Sequence, residues 1–201
     1  YGEPVYTIAT GASGGSYQSH QTADNYPGVF DGIIVSSSFP DVTTATIFTL
    51  ADARLLNNYF SSVDVETFSQ EQQRAVSGFG VWDSIANLSR GAARLDPLYN
   101  IDTPLEEQGG EVSLPALQDR LYSEANTGGL RATVYDHTVN VYGTVANPLD
   151  PSHSLAQRPL DNVGVQYGLA AMNQGIITPQ QFVELNQNIG GFDRDMNHVP
   201  Y

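Results

Sequence analysis

The chain has 201 residues, 40% of them hydrophobic and 15% charged, with 19 Gly and 11 Pro, the make-up of a packed globular domain and not of a disordered segment. A chain this long builds a core without disulfides or metals, and the absence of cysteine excludes disulfide scaffolds, thiolate zinc sites, iron–sulfur clusters and Cys nucleophiles together. Eight arginines and no lysine stand against 22 acids, a net charge of −14, which repels phosphate backbones and anionic lipid and argues against nucleic-acid and membrane-surface roles.

The acidity reads as solubility or as a salty, extracellular habitat. No apolar run approaches the roughly 18 residues that a membrane helix needs. The opening Tyr1-Gly-Glu-Pro4 is neither an initiator Met nor a basic leader, so the chain is expected to be a piece of a longer one.

In chain order, Val5–Thr10 is β-branched and aromatic and runs into Gly11-Ala-Ser-Gly-Gly15, which predicts a strand ending in a sharp turn. Ser16–Tyr26 has no Pro or Gly and repeats Tyr17, His20, Ala23 and Tyr26 at three-residue spacing, a helix stopped by Pro27-Gly28. Ile33–Ser38 is a short apolar run of the kind that forms buried parallel strands. Strand, turn, helix and strand make a βαβ unit, whose two strands run parallel.

After Asp41 the character changes. Thr43 or Thr44 caps a helix expected to reach about Tyr59. Further helices are expected at Ser69–Val76 and Val81–Leu88, a surface loop over 96–113, and a strand at Leu130–Tyr135. Asp161 or Asn162 is expected to cap a helix to Asn173. Thr178-Pro-Gln-Gln181 supplies the cap, first-turn proline and glutamine of a final helix ending at Gly190-Gly191. Residues 1–41 thus read as a slice of α/β core and 42–201 as a mostly helical insertion.

Gly11-Ala12-Ser13-Gly14-Gly15 matches the G-x-S-x-G nucleophile elbow, in the strand-to-helix context which that pattern requires. The nucleophile occupies a strained turn, so the residues two before and two after it approach each other and tolerate little beyond Gly or Ala. Ser13 would present its Oγ at the sheet's C-terminal edge, and the Gly14 N–H would face a developing oxyanion. A dinucleotide loop would need glycine where Ser13 stands, and a Walker loop would need a lysine, so no cofactor is expected. A Gly-rich turn that merely caps a helix or cradles an anion is the bland alternative.

A serine nucleophile needs a histidine base and an orienting acid. His20 lies two turns up the same predicted helix, about 10 Å away along its axis, and reads as structural. His137, beside Asp136, could line a pocket, but adjacent strand residues face opposite ways. His153 sits in a Pro/Ser loop and reads as solvated. His198 is the in-chain histidine to test first, and Asp41, just past the second strand, is the best in-chain acid. Asp193-Arg-Asp195-Met-Asn197 imitates the start of a calcium loop, but His198 replaces the required glycine and the bidentate glutamate is absent. These residues read more simply as turn formers, and no metal is expected.

Thr10–Gly15, Tyr26-Pro-Gly-Val-Phe-Asp-Gly32, Ser38-Phe-Pro-Asp41 and Arg158-Pro-Leu-Asp-Asn-Val-Gly-Val-Gln-Tyr-Gly-Leu169 together resemble a family of bacterial secreted α/β-hydrolases distantly similar to tannase and feruloyl esterase. The resemblance continues through Ile189-Gly-Gly191 and so spans nearly the whole chain. It implies Ser13 as nucleophile, Gly14 as one oxyanion donor, and residues 42–201 as a lid over the substrate pocket, in a secreted or periplasmic enzyme. It also implies that the acid, the histidine and the second oxyanion donor lie on polypeptide outside this chain. Tannase-like enzymes carry a cysteine beside the nucleophile. Here Ala12 stands in that place, a departure from the group's pattern.

The expectation is therefore a serine hydrolase, acting on esters before amides or lactones, that packs against the rest of the same enzyme. A noncatalytic α/β binding or scaffolding module with a relic elbow stays open as an alternative, as does an anion-binding protein that uses the Gly14 helix terminus.

Overall fold

The computed structural model describes residues 4–39, 41, 46–96, 121–131, 133, 135–136 and 139–200. The chain divides into two compact units, Tyr1–Thr46 and Ile47–Tyr201. Among the described residues no helix is long and apolar enough to cross a membrane.

The first unit is strand, helix, strand. Strand β1 (Ile8–Ala12) leads through Ser13 into helix α1 (Gly14–Asn25), and strand β2 (Gly32–Ser36) returns parallel to β1 in the register Ile8↔Gly32 to Ala12↔Ser36. The expected βαβ order is present, with β1 running two residues further than its apolar stretch, through Gly11 and Ala12. A second tie lies at the opposite end of the strands, where Asp31 Oδ2 accepts from the Thr7 N–H at 2.6 Å and the Asp31 N–H donates to the Thr7 carbonyl at 2.9 Å. Among the described residues of this unit the buried ones are Ser16 and Ser19, and neither is apolar.

The second unit is held by apolar packing. Helix α2 (Ile47–Asn58) continues into a π-helical turn, Tyr59–Val63, and packs against α4 (Ser84–Gly91), which tightens into a 3₁₀ turn at Ala92–Leu95. Between them in sequence comes α3 (Gln70–Ser77), opened by a capping box in which Ser69 and Gln72 exchange hydrogen bonds. The expected cap residues of α2, Thr43 and Thr44, lie outside the described residues, as does 97–113 of the expected surface loop.

Farther on come α5 (Val139–Tyr142), the antiparallel pair β3 (Thr144–Val145) and β4 (Leu155–Ala156), α6 (Leu169–Asn173), α7 (Pro179–Asn188), and the hairpin β5 (Gly191–Phe192) with β6 (His198–Val199). One core gathers Leu56, Tyr59, Phe68, Ile85, Leu185 and Ile189. A second gathers Leu50, Ala92, Leu95, Tyr135 and Met196.

Two expected elements differ. The helix expected from Asp161 is only α6, because Gly164 (φ 85°) and Gly168 (φ 80°) adopt left-handed conformations that interrupt it. The Asp161 side chain instead closes a local turn onto the Val163 N–H at 2.8 Å. The strand expected at Leu130–Tyr135 reduces, among its described residues, to one isolated bridge from Leu130 to Leu121, while Thr133 and Tyr135 are buried in turn and bend conformations.

Candidate active site

Ser13 is the residue on which the first unit turns. It adopts φ 53° and ψ −118°, a conformation that L-residues other than glycine seldom occupy, which costs on the order of 1–3 kcal/mol. The reversal from strand to helix is completed within this one residue, because Ala12 is still paired with Ser36 and Gly14 already begins α1. The Ser13 N–H donates to the Ser36 carbonyl at 3.2 Å, and its own carbonyl accepts from the Tyr17 N–H at 3.1 Å. Its side chain makes no capping hydrogen bond to the helix, and the residue is exposed. The hydroxyl therefore belongs to an exposed residue at the head of α1 and is not used to cap the helix.

Gly11 is what permits this turn. A Cβ there would lie 2.5 Å from the Gly15 carbonyl carbon and 2.8 Å from its Cα, closer than real Cβ contacts come. At Gly15 a Cβ would meet nothing within 4 Å, so the size limit expected at both glycines falls on Gly11. Gly14 is exposed, and its N–H is one of the first-turn amides left without an intrahelical acceptor. Together with the positive end of the helix dipole, it offers a donor to a negative oxygen beside Ser13.

The remaining candidates divide between the units. In the first, Asp41 is exposed, five residues past the end of β2, and its carbonyl accepts from the Thr46 N–H at 3.4 Å. His20 lies on α1 and lines a cavity of about 600 Å³ with Tyr17, Gln21, Asp24 and Phe39; the Tyr17 and Phe39 rings stack there at 6.0 Å.

In the second unit His198 sits on β6 with its ring against Phe192, 5.0 Å between centroids, and its Nε2 is buried with no hydrogen-bond partner among the described residues. Burial first and the Arg54 cation second hold its pKa below the usual histidine value. His153 is exposed, as expected, but tied: its Nδ1 is 2.8 Å from Asp150 Oδ2 and 3.0 Å from Ser152 Oγ. Hydrogen bonds from Ser152 and His153 lower the Asp150 pKa to about 2. Because Asp and Ser both meet the same ring nitrogen, the trio does not form a serine–histidine–acid relay. His137 lies outside the described residues.

The Asp193–Asn197 segment works as a turn. Asp193 accepts from the Asp195 and Asn197 N–H groups at 2.8 and 2.9 Å and closes the β5–β6 hairpin, with Met196 at φ 66°. Asp195 pairs with Arg131 at 2.5 Å. Among the described residues no group of three or more His, Cys, Asp or Glu side chains is placed to hold a metal ion.

Sequence reasoning missed the buried guanidiniums of Arg131 and Arg158, whose side chains are 4% and 6% exposed. Arg131 lies over the Tyr122 ring and Arg158 stands 4.0 Å from Asp136. Several of their nitrogens are buried without hydrogen-bond partners among the described residues, and Arg131 also lines a cavity of about 370 Å³ with Asp136 and His153. Also missed were Ser16 and Ser38, whose hydroxyls meet at 2.7 Å. The spacing Ser13, Ser16, Ser19 and the run Ser36-Ser37-Ser38 carried that signal.

The site is thus an exposed serine in a strained bend, between a parallel strand and the head of a helix. A model of the tannase-like family of unknown function (DUF6351) matches residues 1–201, and the chain belongs to that family. No curated protein and no solved structure matches it.

Proposed function

We propose that this chain is the nucleophile-bearing segment of an α/β-hydrolase that cleaves carboxylic esters, with residues 42–201 as its largely helical lid. The observation that carries the reading is the backbone of Ser13, φ 53° and ψ −118°, held at an exposed residue whose hydroxyl does not cap the helix. Strain of this kind persists where the surrounding structure over-determines it, and it concentrates at reactive residues. Membership in a tannase-like family supports the esterase-type chemistry.

In this mechanism Ser13 Oγ bonds to the ester carbonyl carbon while a histidine takes its proton. The Gly14 N–H donates to the oxyanion. The histidine's proton passes to the leaving alcohol, giving an acyl-enzyme, and water then hydrolyses it by the same steps. Asp41 is the in-chain candidate to orient the histidine. His198 is the in-chain candidate base, but its sealed Nε2 beside Arg54 favours a histidine from further polypeptide.

The same further polypeptide is the proposed partner of the β1–β2 pair. Parallel strands are ordinarily covered on both faces, yet Ile34 is 70% and Ile8 48% exposed. A secreted or periplasmic bacterial setting agrees with the acidic balance and the resemblance of the sequence.

Turnover of a small chromogenic ester by the intact protein tests the proposal. Ser13→Ala is expected to lower kcat by about 10³-fold or more with the fold retained. Equal turnover by both proteins would refute it.

A further inference from the structure

We infer that the hydroxyl pair Ser16–Ser38 is a clasp that holds the strained Ser13 bend in its reactive shape, so that both serines are positioning residues for the nucleophile. The inference rests on reading Ser13 as that nucleophile.

Two chain segments meet here, 13–16 and 36–38, and they are joined at both ends. At one end the Ser13 N–H donates to the Ser36 carbonyl at 3.2 Å. At the other the Ser16 and Ser38 hydroxyls meet at 2.7 Å. Among the described residues of the unit, the two non-glycine residues with positive φ lie here, Ser13 at 53° and Ser37 at 50°. The β1–β2 ladder fixes the register up to Ala12↔Ser36, and beyond its last pair each segment turns away through its strained residue. The Ser16–Ser38 bond ties the two segments again past those residues and limits how far either can relax.

The two buried serines of α1 are satisfied differently. Ser19, in the second turn, bonds back to the Gly15 carbonyl at 2.8 Å. Ser16 lies in the first turn, which has no helical turn before it, and its wholly buried hydroxyl is satisfied by Ser38. A buried hydroxyl deprived of its partner is costly, so the pair resists opening. The two hydroxyls are bonded to each other, and their effect on chemistry is inferred to run through the geometry of Ser13.

Two readouts on the intact protein and its Ser16→Ala, Ser38→Ala and double variants test the clasp. The first is the rate at which a fluorophosphonate labels Ser13, together with kcat and KM for a small ester. Each single variant is expected to slow labelling and lower kcat about tenfold, the size of one lost hydrogen bond to a buried hydroxyl, with KM changed less than about twofold. The double variant is expected to fall no further than a single, and Ser38→Thr, which keeps the hydroxyl, is expected to restore the rate. Labelling at the parent rate in the single variants, or losses that multiply in the double, would overturn the clasp.

The second readout is hydrogen exchange at the Ser13 amide, which needs no nucleophilicity. Exchange is expected to rise about tenfold or more in Ser38→Ala, and unchanged exchange would overturn the clasp. If the parent protein takes no label while its Ser13 amide still loosens in Ser38→Ala, the nucleophile reading fails and the clasp stands as a structural device.

Discussion

The two units of this chain are held by different means. Unit Ile47–Tyr201 buries Tyr59, Leu95, Leu185 and Met196 almost completely in two apolar clusters. Among its described residues, unit Tyr1–Thr46 buries two serines and leaves Val5, Tyr6, Ile8 and Ile34 open. At its central bend stand a steric limit at Gly11, the hydrogen bond from the Ser13 N–H to Ser36 and the Ser16–Ser38 hydroxyl pair. Apolar burial is non-directional and tolerates small shifts, whereas backbone sterics set an angle at one residue. The region that carries the candidate nucleophile is therefore exact in its local geometry and incomplete in its packing.

That contrast can be broken by truncation. Leu185→Ala is expected to cost about 4 kcal/mol in chemical denaturation, as a buried Leu→Ala usually does. Ile34→Ala in the 201-residue chain is expected to change stability by less than about 0.5 kcal/mol, since the side chain lies in solvent. A loss comparable to that at Leu185 would mean that the first unit has an apolar core after all.

Two glycines sharpen the comparison. Gly11→Ala drives a methyl into the Gly15 backbone and is expected to cost about 3 kcal/mol. Gly15→Ala finds open space in a helix and is expected to be neutral or stabilising, by at most about 1 kcal/mol. Equal effects, read from denaturation midpoints, would show that close approach does not shape the bend.

The smallest effect concerns pH. Burial and Arg54 lower the His198 pKa, so folding favours the neutral ring. The stability it contributes is complete above the unfolded value of about 6.5 and is lost as pH falls through the lowered folded value. The thermal midpoint is expected to fall below about pH 6.5, with a gentler slope in His198→Gln. An unchanged slope would place the acid sensitivity elsewhere.

The features legible in the sequence were those fixed by neighbours in the chain. The Gly11–Gly15 stretch announced its turn, and Gly11 is the position where a side chain would meet the Gly15 backbone. Thr178, Pro179 and Gln181 announced α7 because a capping box is satisfied within four residues. Features without a repeating pattern, or decided by distant partners, were harder to read. The turn over Asp193–Asn197 was legible as a turn, but the two-residue strands β5 and β6 that it joins leave no periodic pattern. The late start of the helix expected from Asp161 depended on the left-handed conformations of Gly164 and Gly168. Residues Ser16 and Ser38 are 22 positions apart and meet only because the strands run parallel.

That the Ser13 hydroxyl is an activated nucleophile can be checked by peptide mass mapping after the intact protein is treated with a fluorophosphonate. The expected result is one phosphonylated residue, Ser13, with the adduct abolished in Ser13→Ala. An intact protein that takes no label at Ser13 would contradict it.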